Sequence, residues 1–414
     1  MLKNLLDDFI GDLRTQKTRA FLTMFAVGWG TLSVVLLLSF GEGLKRTIVA
    51  GELGAGEKMF IVYPGSTTKP FDGLPSGRQI SLVDEDLDLL RNNIPELDLV
   101  STSYGRWGAV LKAGPVQTTT MMEGVDPGFS ELRNMYPTSG GRFLNSVDIA
   151  LRRRVAFLGD SIAHRLYPDG VAVGRTLMID GVPFTVVGTM QHKMQTSMNN
   201  GPDADRVIIP SSTLKTIYGR TRVNSLLVRP RDVSRAGAVK HRIFEVLGSK
   251  YHFDPEDENA LGIWDFIENL RMTKLITGGI QLFLGVVGAL TLMVAGIGLA
   301  IVMYVVVRER TREIGIKRAL GARRHHIVSQ FVFEALLIAL TGGLLGLALA
   351  AALVIGVDSI PSSNQAMEFL ANPKLSWPIG LGTVGILTLI GLLAGVLPAR
   401  RAASMDPVES LRYE

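Results

Sequence analysis

The sequence contains no cysteine, so neither a disulfide framework nor a thiolate metal site is available to it, and the redox character of its compartment is left open. It holds no Gly-x-x-x-x-Gly-Lys-Ser/Thr phosphate loop, which removes that route to binding and hydrolysing nucleotide. Its six histidines form no His-x-x-x-His pair, and no Asp-x-x-His occurs anywhere. Internal repeats and low-complexity tracts are also missing. The most informative absence is charge. Ala20–Phe40, Leu275–Val307, Ala335–Val357 and Trp377–Leu397 contain no Asp, Glu, Lys or Arg, in a chain that is 20% charged overall.

About 20 apolar residues in a helix cross the hydrocarbon core of a bilayer, so each of these runs is long enough to span. In lipid a backbone satisfies its own polar groups only as a helix or a closed barrel, and the runs lack the two-residue alternation of barrel strands. The expected fold is an α-helical integral membrane protein with four transmembrane helices and a large mixed α/β extracytoplasmic domain between the first and second. A secretory signal peptide fits the start poorly, because mixed polar residues precede the first run and no small-x-small cleavage site ends it.

The charge that is present sets the orientation. Residues 308–326 carry Arg308, Arg310, Arg312, Lys317, Arg318, Arg323 and Arg324, whereas the equally short loop 358–376 carries only Lys374. The positive-inside rule then places both termini and loop 308–326 in the cytoplasm and leaves the long segment outside. The formal net charge of +5 is concentrated at membrane edges, where it meets lipid and not nucleic acid. The expected order is a cytoplasmic amphipathic helix (1–19), a span (20–40), an external domain (41–274), a span with a stalk (275–307), a cytoplasmic loop helix (308–326), a span (327–357), a short external loop (358–376), a span (377–397) and a cytoplasmic tail (398–414). The uncharged run 275–307 would make a helix of roughly 50 Å against about 30 Å of hydrocarbon. The excess points to a stalk that leaves the membrane, continued by "IWDFIENLRMTK".

Within 41–274, Lys58–Tyr63 and Val116–Val125 read as strands, and "SLVDEDLDLLRNN" as a helix opened by Ser81 with Asp84 three residues on. Asp180-Gly181 supplies the positive φ angles of a two-residue hairpin in "RTLMIDGVPFTVVG". "RDVSRAGAVKHRIFEVLGSK" reads as a helix capped by Asp232.

Several motifs invite a chemical reading. "LGDSIAHRLY" (158–167) resembles the nucleophile block of GDSL-type esterases, but a serine is a poor nucleophile without the base that Asp-x-x-His would supply. A strand-to-helix turn capped by Asp160 or Ser161 is the simpler expectation. His325 and His326, adjacent on a helix, should point about 100° apart and suit headgroups better than a metal. Gly342/Gly346 and Gly391/Gly395, with Gly285, Gly288 and Ala289, would let helix backbones approach closely, within one chain or between chains. Glu334 is the acid nearest the membrane interior and is either paired at the interface or functional. In the basic loop Glu313 precedes Lys317 by four residues, Ile314, Ile316 and Leu320 supply apolar contacts, and Gly321 should end the helix in a left-handed cap. A second short helix is expected in the tail, with Asp406 as cap, Pro407 in the first turn and Glu409 completing the box.

"REIGIKRALGARRHHIVSQFVFEALLIALTGGLLG" and "PARRAASMDPVESLR" resemble the signatures of MacB/FtsX-type ABC transporter permeases, and "KTRAFLTMFAVGWG" is similar to the entry of their first span. "LGAGEKMFIVYPG", "GRFLN", "VAFLGDSIAHRLYPDGVAVGRTLMIDGVPFTVVG" and "VIIPSS" resemble the MacB-type periplasmic core. The resemblance implies a permease of the bacterial inner membrane, dimeric with a second copy or a paralogue. ATP and magnesium would sit on a partner ABC ATPase in a separate polypeptide, leaving this chain without cofactor or enzymatic activity. That partner would dock on the coupling helix, at Arg308, Arg312, Glu313, Ile314, Ile316, Lys317, Leu320 and Gly321. A periplasmic adaptor and an outer-membrane exit duct are further implied partners. Two functions stay open: export or release of a substrate driven by movement of the external domain, or FtsX-like regulation of an extracytoplasmic partner such as a cell-wall hydrolase. The cell-division regulator FtsX has a much smaller external domain than 41–274.

Overall fold

A computed structural model describes residues 17–195, 198, 200–219, 222–359 and 373–404. The amphipathic start, the tail helix at Asp406, Pro407 and Glu409, and most of the external loop lie outside the described residues. The chain divides into two compact units, residues 1–47 with 275–414, and residues 48–274.

Helix α1 (Lys17–Ala55) leads into strand β1 (Phe60–Pro64), helix α2 (Glu85–Asn93), strands β2 (Leu97–Ala113) and β3 (Val116–Val125), and the short helices α3 (Phe129–Leu132) and α4 (Ser146–Ala150). There follow β4 (Val155–Leu158), α5 (Asp160–Leu166), β5 (Thr176–Ile179), β6 (Val182–Thr189), β7 (Arg206–Pro210), α6 (Ser211–Tyr218), β8 (Ser225–Pro230), α7 (Ala236–Tyr251) and β9 (Leu261–Asp265). Among the described residues four helices follow: α8 (Phe266–Glu309), α9 (Thr311–Ala319), α10 (Arg324–Asp358) and α11 (Trp377–Ser404).

Among the described residues α1, α8, α10 and α11 are long and apolar enough to cross a membrane. They bury small or branched side chains such as Val34, Leu292, Ala339 and Ala350 against one another, while Leu282, Val294 and Leu397 face outward. That is the distribution a lipid solvent demands. All four of these helices overrun their uncharged stretches. α8 has 44 residues, about 66 Å at 1.5 Å per residue, roughly twice the hydrocarbon thickness.

The 48–274 unit is built on one nine-stranded mixed sheet in the order β3-β7-β4-β6-β5-β2-β8-β1-β9, with β2 also paired to β3. The long strand β2 explains this double use. Its first half pairs with β8, its second half with β3, and Leu111 and Lys112 reach β5. The pairings β2-β3-β7-β4-β6-β5-β2 therefore close a six-stranded circuit, and β8, β1 and β9 extend from it. A register shift between Arg106 and Ala109, at Gly108, bends β2 where it changes partners.

The hairpin is found where the sequence places it, with φ of 47° at Asp180 and 82° at Gly181. Three local expectations are corrected. The α2 helix begins at Glu85 and not Ser81; the Asp84 side chain makes no cap bond, being taken by Tyr104 and Lys215, while Asp86 accepts from the Val83 amide at 2.8 Å. Asp232 caps a 3-10 turn (Val233–Arg235) through Ser234 N, and the α7 helix starts only at Ala236. Ile263-Trp264-Asp265 is strand β9, because these residues pair with Val62, Ile61 and Phe60.

Candidate functional site

The seven cations of loop 308–326 lie on the nine-residue helix α9 and to either side of it. Its end is a Schellman motif: Gly321 N donates to Arg318 O and Ala322 N to Lys317 O, each at 3.0 Å, with Gly321 at φ +93°. Arg323 then turns extended and α10 starts at Arg324. The expected Glu313–Lys317 pair is present at 2.8 Å.

The helix is seated on its neighbours by one face. Ile314, 3% exposed, lies in an apolar cluster with Met303, Val307, Ile327 and Phe331. Arg318 donates to the Ala403 carbonyl at 3.1 Å and Lys317 reaches Gln330 at 3.4 Å. The opposite face is open, with Ile316 45% and Leu320 83% exposed beside exposed Arg308, Arg312 and Glu313. The sequence pattern offers all three aliphatic residues outward; the structure corrects this for Ile314, which anchors the helix. Glu334 is half of an ion pair with Arg310 at 3.7 Å, so this acid is neutralised at the same face. Arg19 at the start of α1 joins Glu309 at 2.7 Å and Val302 O at 3.0 Å, a clamp between α1 and α8 that no local pattern announces. The His325 and His326 rings lean together, centroids 4.3 Å apart, instead of diverging. Among the described residues no group of three His, Asp or Glu is placed to hold a metal.

The candidate packing glycines act within the chain. A Cβ on Gly342 would lie 2.7 Å from Met24 O, and one on Gly346 would overlap Gly28 O, so α1 and α10 cross backbone to backbone. Gly391 and Gly395 do the same for α11 against α10, where a Cβ would meet Leu336 Cα at 3.2 Å and Val332 Cα at 2.9 Å. Gly288 receives Val34, whereas Gly285 borders open space.

In the 48–274 unit both long helices end in one apolar cluster. Ala55, last residue of α1, and Phe266, first of α8, are buried with Met59, Ile61, Phe129 and Leu132. Asp265 caps α8 by accepting from Ile267 N and Glu268 N, each at 3.0 Å. Asn134 donates to Leu53 O at 2.8 Å, satisfying a carbonyl at the end of α1.

Next to Asn134 begins a buried ionic network that sequence reasoning missed. Arg133 pairs with Asp203 at 2.7 Å; Lys193 bonds Asp203 at 2.7 Å and Arg133 O at 2.6 Å; Arg206 pairs with Glu123 at 2.6 Å. Burial alone would raise the Asp203 carboxyl, but Arg133, Lys193 and Arg206 overcome it and hold the group well below the carboxylate range. Burial pushes the Lys193 ammonium down to about 8 despite Asp203. Arg206 is held up by Glu123 and Asp203 against its own burial.

At the Gly-Asp-Ser motif neither expected side chain caps the helix. Gly159 is the N-cap, with the Asp203 and Ala204 carbonyls where a Cβ would stand. Asp160 faces His192 at 2.6 Å.

The model described as MacB-like periplasmic core domain matches residues 20–245, and that described as FtsX-like permease C-terminal matches 285–407. A macrolide export ATP-binding/permease protein MacB of Shewanella sp. is 30% identical over 403 residues, 97% of this chain and 59% of that protein. A pyoverdine export ATP-binding/permease protein PvdT of Pseudomonas fluorescens is 31% identical over 96% of this chain and 57% of its own length. The chain thus spans under two thirds of these curated relatives. The crystal structure of the periplasmic region of MacB from Actinobacillus actinomycetemcomitans aligns with 53% of this chain and 94% of its own at a TM-score of 0.42 and 19% identity.

Proposed function

This chain belongs to the family of permeases that join a MacB-like periplasmic core domain to an FtsX-like C-terminal domain, and from that premise we propose that it is the permease of an ABC-type exporter working by mechanotransmission. ATP binding and hydrolysis take place on an ABC ATPase subunit docked at α9. The movement passes along α8 to the external domain, which expels or releases the substrate through a periplasmic adaptor and an outer-membrane duct. The chain sits in the inner membrane with α9 and both termini on the cytoplasmic side, next to a second permease. The names of its relatives, which are export ATP-binding/permease proteins, support transport over regulation.

The observation that carries the reading is the division of labour on α9. One aliphatic residue, Ile314, fixes the helix to the bundle, and two others, Ile316 and Leu320, stand outward on a rigidly terminated helix. Two exposed aliphatics among arginines form a small apolar surface that a groove on the ATPase would cover in this reading. Burying each contributes roughly 1.5–3 kcal/mol, so losing both weakens docking by tenfold or more.

Ile316→Asp with Leu320→Asp therefore releases the ATPase from the tagged permease on detergent extraction, while the permease itself still inserts. An unchanged yield of co-purified ATPase would place the dock elsewhere.

A further inference from the structure

Not every small residue in the bundle is used for helix contact. Gly285 on α8 and Gly382 on α11 have no atom within 4 Å of where a Cβ would stand. Both border a cavity of about 510 Å³ between α1, α8 and α11. Its walls are apolar, including Val34, Leu38, Leu292 and Ile386. Its rim is not. Lys45 donates to Gln281 at 3.0 Å, Gln281 to Glu42 at 2.9 Å, and Arg46 pairs with Glu42 at 2.8 Å. The rim residues lie just past the uncharged run of α1, at the level where lipid headgroups begin.

We propose that this cavity is a site for one acyl chain of an anionic phospholipid, with the phosphate held at Lys45 and Arg46. Three features favour that occupant. From Gln281 to Leu292 the wall of α8 is about 16 Å deep, close to half the roughly 30 Å hydrocarbon core, so the site measures one leaflet. The rim carries two cations and one anion, and the anion is already bridged by Arg46 and Gln281. Lys45, which donates to a neutral amide oxygen and acts on Glu42 through space, and Arg46, whose side chain is 58% exposed, keep donors for a phosphate diester. A lipid filling the cavity would wedge α1, α8 and α11 at the leaflet where α1 and α8 leave the bilayer.

The test uses the purified full chain in detergent, titrated with dioleoyl phosphatidylglycerol or dioleoyl phosphatidylcholine and read by native mass spectrometry. Phosphatidylglycerol should bind more tightly. Lys45→Gln and Arg46→Gln should each reduce that preference roughly fivefold, while Glu42→Gln should raise it by a similar factor, a gain that mere damage would not produce. Gly382→Phe projects a ring into the cavity and should weaken binding of both lipids. Gly385→Phe, at another position open for a side chain but outside the cavity, should not. Equal binding of the two lipids, or equal loss in the two phenylalanine variants, overturns the proposal.

Discussion

The amide of Phe266 donates to the carbonyl oxygen of Met59 at 3.1 Å, joining residues 207 apart in the chain where α8 begins and α1 has just ended. The same junction pairs β1 with β9 in antiparallel register, Phe60 opposite Asp265. The first and last strands of the 48–274 unit are therefore neighbours in its sheet. Phe266→Ala removes the buried ring from the shared cluster. It should cost about 3–5 kcal/mol, seen as a lowered unfolding temperature of the detergent-solubilised chain.

The ionic network predicts an acid-sensitive junction. The Asp203 carboxyl sits below its unfolded value of 3.8, so its contribution is fully present above that pH and is lost as pH falls toward the lower folded value. Lys193 has the opposite sign: its folded value of about 8 lies below the unfolded 10.5, so stability from this group rises with pH between those limits. Asp203→Asn should cost about 3–5 kcal/mol near neutrality, by leaving Arg133 and Lys193 uncompensated, and should flatten the loss below pH 4. Thermal unfolding of both proteins from pH 2 to 7 checks both effects.

The glycine crossings separate packing from composition. Gly346→Leu drives a side chain into the α1 backbone at Gly28, which cannot yield, whereas Gly278→Leu points into open space. The first should abolish the yield of folded monodisperse protein in detergent; the second should leave it unchanged.

The proposed orientation is tested in the natural cysteine-free background. Thr119→Cys and Ser329→Cys both place a thiol at an exposed position. A membrane-impermeant maleimide should label Thr119→Cys alone in intact spheroplasts, and both after lysis. Labelling of Ser329→Cys before lysis reverses the topology.

The four spans are legible in the sequence because their requirement is local: a run without charge, long enough to cross lipid. Gly321 and Asp180-Gly181 are legible for the same reason, since a positive φ is demanded by one or two residues. Ile314 and Ile316 show where that reading ends. Both are isoleucines on one short helix, and only the position of Phe331 and Ile327 decides which is buried. The Arg133–Asp203 pair, 70 residues apart, and the strand character of Ile263-Trp264-Asp265 depend wholly on distant partners. Neither leaves a local trace.

The Schellman end of α9 provides the last prediction. Gly321 holds φ +93° while its amide and that of Ala322 bind the final carbonyls of the helix. An L-residue in the left-handed region costs about 1–2 kcal/mol, and a β-branched one more. Gly321→Val should therefore give up the two bonds, fray the last turn and leave Leu320 without a fixed direction. The expected result is faster tryptic cleavage at the exposed Arg323–Arg324 pair together with weaker ATPase recovery, in a bundle still pinned by Ile314. Gly321→Asn, better tolerated at positive φ, should fall between valine and wild type on both readouts. If all three proteins are cut and recover ATPase alike, the ordered end of α9 has no part in docking, and its exposed aliphatic face alone must account for it.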